Sequence, residues 1–313
     1  MESHACGWPA LAIPHQMLPP CSMVLTDGGL LAAKITSMGD SMYALVGYVA
    51  NDARPGRDGE GPRSRFWGRE WQRTLNLPYA TYAPLIAARQ PDALVPHLGK
   101  IARIRAAGIV AARSTRDPYL LAAHAAALDA LATWCGVDRD KFGVYGSAMY
   151  KPPGTARDLD IVVYGRDASR RVAARAAGVV PPRPADHPHH PHFRTPGAKV
   201  TLDPRYLTGE HTITRALIAG DCTDSGVEAI DRLWVLDAAE GIFFPSRYTL
   251  SDGSVLLSYR AGHSGWLRNG DELFGPPLPV FFRDGTRYRV VLGCETLRAR
   301  RAEAEQTGGE GER

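Results

Sequence analysis

Apolar positions along the chain change period several times, and each change predicts an element. Between Met23 and Ala50, short apolar runs (Val24–Leu25, Leu30 to Ile35, Tyr43 to Val49) are broken by Gly28–Gly29 and by Ser37 to Asp40. Runs bounded by turn residues in this way predict a small antiparallel β unit. Residues 51–65, dense in Gly, Pro, Arg and Asp, predict a loop. The period then becomes helical: Leu121, Ala125, Leu128, Ala132 and Cys135 recur at spacings of three and four. Asp117 is placed to cap that helix, Pro118 to start it and Gly136 to end it. Strands follow at Phe142–Tyr145 and Asp158–Tyr164, and a second helix near 167–177 has Asp167 available as its cap. Residues 178–198 carry six prolines and a histidine cluster, and read as an exposed loop. From Trp234 to Leu292, strand-like runs separated by Gly, Asp and Pro predict a small barrel or sandwich. The first twenty residues predict a loose extension, and the tail after Leu297 a brief helix and then disorder.

Composition narrows the class. With 313 residues, 44 % hydrophobic and 22 % charged, the chain has room for two domains and a sizeable core, which excludes a disordered chain. No apolar stretch reaches the roughly 18–20 residues of a membrane helix, and no leader pattern opens the chain, so a cytoplasmic protein with no membrane partner is expected. Five cysteines without a CxxC pair argue against a zinc ribbon or a thioredoxin-like site and suit a reduced compartment. The net charge is only +4, yet just five of the 37 basic residues are lysine. An arginine excess suits phosphate recognition by guanidinium forks, and equally the codon bias of a GC-rich genome.

The chemistry concentrates in residues 142–165. A strand ends in Gly146–Ser147, where a small residue lets backbone N–H groups approach an anion and the hydroxyl adds a donor. A helix opening after that turn would favour a phosphate at its N-terminus. Asp158 and Asp160 flank Leu159 on the next strand, so period two puts both carboxylates on one face. Such a pair repels itself unless a divalent cation lies between.

This segment resembles the catalytic signature of the DNA polymerase β-like nucleotidyltransferase superfamily: a hydrophobic residue, Gly-Gly or Gly-Ser, a spacer of about ten residues, then Asp-hydrophobic-Asp. Gly146–Ser147 and Asp158-Leu159-Asp160 fill its fixed positions. The resemblance implies an α+β fold, a nucleotidyltransferase core of mixed sheet and helices, here flanked by β-rich N-terminal and C-terminal units. It implies two Mg2+ ions, with Mn2+ able to substitute, held by Asp158, Asp160 and a third carboxylate. Asp203, after the β-like run from Lys199, is favoured for that role over Asp221 and Asp224. It also implies that Gly146 and Ser147 grip the phosphates of an NTP such as ATP, and that pyrophosphate leaves.

Lys151, four residues after Ser147, and Arg157, directly before the aspartate pair, are further nucleotide-binding candidates, although Arg157 alternates to the opposite face and both also read as surface cations beside an acidic site; Tyr164, at the end of the strand, is a secondary candidate. The run from His187 to His192, dense enough in imidazole to bind Zn2+ or Ni2+ adventitiously, reads as a solvated loop rather than a dedicated metal site, since its prolines block a helix and no regular ligand spacing appears; a lid over the nucleotide is the other reading. Lys100 to Arg105, with Arg113 and Arg116, reads as an RNA or triphosphate contact or as the solvated face of a helix. Arg63, Arg65, Phe66, Trp67, Arg69, Trp71 and Arg73 interleave cations with aromatics, which suits base stacking or simple packing. The C-terminal module reads as an oligonucleotide-binding barrel, an acceptor-recognition domain or an oligomer interface.

The expected organisation is an extension and β-rich unit at 1–94, a nucleotidyltransferase core at 95–230, a β module at 231–297 and a tail at 298–313. The expected activity is transfer of NMP from an NTP to a small-molecule acceptor. The alternatives are an RNA-tailing enzyme of the same chemistry and a non-catalytic nucleotide-binding or interaction module.

Overall fold

The computed structural model describes residues 8, 14–51, 63–67, 69–75, 77–151, 158–179, 192–195, 201–208, 212–292 and 295–301. Its N-terminal part is one sheet built from β1 (Met23–Thr26), β2 (Leu30–Met38), β3 (Ser41–Ala50), β4 (Arg63–Phe66) and β5 (Arg69–Arg73), followed by α1 (Tyr79–Ala87), β6 (Ile101–Arg105) and β7 (Ile109–Arg113). The strand order is β4-β5-β3-β2-β1-β7, with β6 also paired to β3. Alternation along the strands gives the sheet two apolar faces. Val24, Leu30, Ala32, Met42, Ala44 and Val46 pack with Tyr82 and Ile86 of α1, and Met23, Leu31 and Tyr48 join the core shared with the rest of the chain. The buried Lys34 ammonium ties the preceding segment to this sheet by donating to the His15, Gln16 and Leu18 carbonyls.

Next come α2 (Pro118–Ala123), α3 (Ala125–Cys135), β8 (Phe142–Val144), β9 (Asp158–Tyr164), α4 (Arg166–Ala177), β10 (Thr201–Leu207) and α5 (Thr212–Ala219). Asp117 accepts from the Tyr119 and Leu120 N–H groups, as an N-cap should. The helix pauses at His124, and Gly136 closes it in the left-handed region. Asp167 lies in the first turn of α4, whose cap position is Gly165. The central sheet has the order β10-β9-β8, antiparallel between β8 and β9 and parallel between β9 and β10.

The C-terminal strands are β11 (Thr223–Asp237), β12 (Ser246–Leu250), β13 (Val255–Ser258), β14 (Glu272–Arg283), β15 (Thr286–Val291) and β16 (Arg298–Arg300). They run β11-β12-β13-β15-β14, and β14 also pairs with β11, which closes a five-stranded barrel and excludes the sandwich. Only the β13–β15 pairing is parallel among these. Tyr248, Leu256, Trp266, Leu273 and Leu278 fill the barrel interior.

The α+β fold expected from the sequence is therefore corrected: the chain is mostly β, 43 % strand against 27 % helix, dominated by antiparallel sheets and a closed barrel. The helical share was overread for identifiable reasons. The basic stretch at 100–105, read in part as a helix face, is strand β6, drawn into pairing with β3. Both β6 and β7 belong to the N-terminal sheet, which reaches past residue 94. The helix expected after Gly146–Ser147 is a four-residue 3-10 turn ending at Met149. The tail does not begin as a helix, because Arg298–Arg300 adds a strand to β14; the rest of the expected tail, 302–313, lies outside the described residues, as do 52–62 of the expected loop. Among the described residues, no helix is long and apolar enough to cross a membrane.

Candidate active site

The register of two strands builds the site. On β9 and β10, Asp160 pairs with Asp203 and Asp158 with Thr201. Directly paired residues share a face, so Asp203 joins the two aspartates that alternation had already aligned. Leu159, Ile161 and Val163 are buried on the opposite face, and Leu202 with them, which holds the strands in this register.

A row of backbone contacts extends on both sides of the pair. On the β8 side, the Tyr145 N–H donates to the Asp160 carbonyl at 3.0 Å. The chain then turns at Gly146, with φ +64°, and the Ser147 N–H donates to Asp160 Oδ2 at 3.0 Å. A Cβ on Gly146 would lie 2.2 Å from that oxygen, so only glycine fits over the carboxylate. On the β10 side, Phe193 and Leu202 exchange two backbone hydrogen bonds, at 3.1 and 2.7 Å. Phe193 is buried against Trp134. This antiparallel bridge sets His192 beside Asp203, and its Nδ1 lies 3.9 Å from Asp158 Oδ2.

The electrostatics are strained. Burial raises the Asp203 carboxyl well above the usual carboxylate range, and the Asp160 charge beside it raises it further while Arg205 pulls it down. Burial likewise raises Asp160, which the Ser147 N–H partly offsets and Asp158 reinforces. The two carboxyls face each other across the strand pair, so ionising either one opposes ionising the other. Arg205, two residues along β10, sits over the Tyr145 and Phe244 rings at 4.8 and 4.6 Å and keeps a guanidinium charge beside the acids.

These groups line a cavity of about 840 Å3 at the meeting of all three parts of the chain. The N-terminal sheet contributes Tyr48, Arg73 and Lys100, the central strands Ser147, Lys151 and the three aspartates, and the barrel Tyr259 to Gly262 from the segment after β13. Tyr48 and Tyr150 hydroxyls meet at 2.9 Å.

Of the residues expected from the sequence, Gly146, Ser147, Lys151, Asp158, Asp160 and Asp203 come together on this cavity. Arg157 lies outside the described residues. Asp224 lines a separate cavity of about 360 Å3 beside His97, and Asp221 follows α5. Tyr164 bonds Thr115 at the other end of β9. Two of the aromatics at 63–73 pack rather than stand free: Trp71 is buried and Trp67 meets Trp8, Trp71 and Tyr150 edge-on. His192 leaves its expected solvated loop for the site, while His187 to His190 lie outside the described residues. Sequence reasoning also missed Arg205, although its two-residue spacing from Asp203 was a usable signal; Arg73 was legible only as a member of the cation–aromatic run, and Arg260 carried no signal.

Comparison with family models, with curated proteins and with solved structures finds no match to this chain.

Proposed function

We propose that this chain is a divalent-cation-dependent nucleotidyltransferase that moves NMP from an NTP to a small-molecule acceptor and releases pyrophosphate. The observation that carries this reading is the convergence of Asp158, Asp160 and Asp203 on one cavity wall beneath the Gly146–Ser147 turn. Three carboxyls on one face of paired strands, with Asp203 buried, repel one another unless a positive charge lies among them, so the acids fit a dication. Asp158, Asp160 and Asp203 would hold it, and when bound it supplies charge neutralisation for phosphates and acidifies an acceptor hydroxyl.

The chain's own residues supply the remaining work. Lys151, Arg73 and Arg260 bring positive charge to the same cavity, where phosphate oxygens need donors. Ser147 offers its hydroxyl beside the acids. Tyr48, Tyr150 and Tyr259 give the wall aromatic surface suited to a base or an apolar acceptor. Held in line, the acceptor oxygen forms its bond to the α-phosphorus as the bond to the β-phosphate bridge breaks; the acceptor proton passes to water. A volume of about 840 Å3 favours a small acceptor, since pockets that enclose small molecules run to roughly 300–1,000 Å3.

The test is incubation of the full chain with each of the four labelled NTPs, Mg2+ or Mn2+, and a cell extract as acceptor pool. Pyrophosphate release that vanishes in Asp160→Asn, a variant able to keep the Ser147 hydrogen bond, supports the reading. Label recovered in RNA would transfer the acceptor to the tailing class. No release from any NTP with either ion would overturn the proposal.

A further inference from the structure

We infer that His192 is a cation ligand, and that with Asp158 and Asp203 it forms a mixed nitrogen–oxygen site that selects Mn2+ over Mg2+. This rests on the cation-dependent reading above and adds both a ligand and a choice of ion to it.

The geometry comes from the bridge at Phe193. Because Phe193 and Leu202 exchange both backbone hydrogen bonds, the next pair, His192 with Asp203, is of the non-hydrogen-bonded kind. In such pairs the Cα atoms stand only about 4.5 Å apart and the side chains lie closest. His192 therefore extends the cross-strand row Asp160–Asp203 by one position, on the same face. One ligand atom each from Asp158, His192 and Asp203 all lie within 4.8 Å of one another. Two donors each roughly 2.1 Å from a common ion are separated by at most roughly 4.2 Å. The 3.9 Å from His192 Nδ1 to Asp158 Oδ2 is already inside that limit, and the widest pair needs only a side-chain adjustment.

Position and environment agree. His192 is held by its neighbour, since Phe193 is buried while His192 itself stays open to the cavity. The three donors come from two strands and one segment: Asp158 from β9, Asp203 from β10, and His192 from the stretch bridged back onto β10. The donor set then decides the ion. Mg2+ prefers oxygen ligands at near-ideal octahedral positions and gives up water reluctantly. Imidazole nitrogen suits first-row transition ions, and Mn2+ accepts it together with carboxylates.

The experiment is an EPR titration of the full chain with Mn2+, with and without competing Mg2+, joined to pulsed EPR for nitrogen coupling to the bound ion. The wild-type chain is expected to show 14N coupling and to hold Mn2+ at least tenfold more tightly than Mg2+. His192→Ala is expected to lose the coupling and to weaken Mn2+ by about tenfold or more, with Mg2+ changed less than twofold. His192→Gln, which keeps an oxygen donor, is expected to lose the coupling and the preference together. Unchanged thermal unfolding of the metal-free variants separates a lost ligand from a lost fold. Equal binding of both ions without nitrogen coupling, or coupling that survives His192→Ala, overturns this inference alone. A wild-type chain that binds neither ion overturns the cation-dependent reading as well.

Discussion

Replacing Gly146 by alanine tests the seat of Asp160 directly. The new Cβ would stand 2.2 Å from Asp160 Oδ2, 2.5 Å from its Cγ and 2.9 Å from its Cβ, at a backbone φ of +64°. To reach an ordinary contact of 3.4 Å the carboxylate oxygen must withdraw by 1.2 Å, which breaks its 3.0 Å bond from the Ser147 N–H. Gly136 is a matched control: its φ is +63° and nothing lies within 4 Å of the added methyl. Both variants carry the left-handed penalty of about 1–2 kcal/mol. Only Gly146→Ala also loses a hydrogen bond to a carboxylate, a further ~1.5–3 kcal/mol. Urea unfolding of the two variants beside the wild type measures the difference, and dication affinity is expected to fall in Gly146→Ala alone. Equal destabilisation of the two variants would refute the placement of Asp160 beneath the turn.

Other consequences follow from the same geometry. With the Asp160 and Asp203 carboxyls raised, the folded metal-free chain holds more protons than the unfolded chain above the ordinary carboxylate range. The contribution of this pair to stability is therefore present at acid pH and is lost as pH rises through the raised values, and Asp203→Asn flattens that part of the slope in denaturation measured across pH. For the same reason dication affinity rises with pH over that range, visible in calorimetry as proton release on binding. Lys34→Met leaves two buried carbonyls and one half-buried carbonyl without their donor and should cost about 2–4 kcal/mol in thermal or urea unfolding. Arg73→Ala and Arg260→Ala are each expected to weaken NTP binding by about 10–100-fold, the worth of a charge-assisted bond, while Mn2+ binding stays unchanged. Loss of Mn2+ binding in either would mean that the arginines support the acids rather than the phosphates.

What could be read in the sequence was local. The alternation of Asp158 and Asp160, the cap at Asp117 and the αL glycine at 136 each depend on a few neighbouring residues, and each has the expected geometry. Asp203 was legible as an acid within a β-like run, but its place opposite Asp160 needed the register of β10. Pairings over distance were not legible. The basic stretch at 100–105 has no strict alternation, and only β3, more than fifty residues earlier in the chain, makes it a strand. The last strands were read as a barrel or a sandwich because nothing local marks the β11–β14 pairing that closes the ring. For His192 a solvated loop outweighs a metal ligand in the sequence, because its proline-rich surrounding suggests solvent, whereas one buried neighbour, Phe193, anchors it to β10.

The in-register pairing of Asp160 with Asp203 sets the site against the fold that carries it. A shift of β10 by one residue would place Leu202 or Pro204 beside Asp160 and relieve the repulsion, yet it would also turn Leu202 out of the core. The apolar face of the two strands therefore enforces a register that the charged face opposes, a local frustration of the kind found where function competes with folding. A dication that binds the acids removes the conflict and acts as a folding ligand, raising the unfolding temperature in proportion to the logarithm of its concentration above the dissociation constant. Cation supply would then set not only how fast this chain works but how much of it is folded.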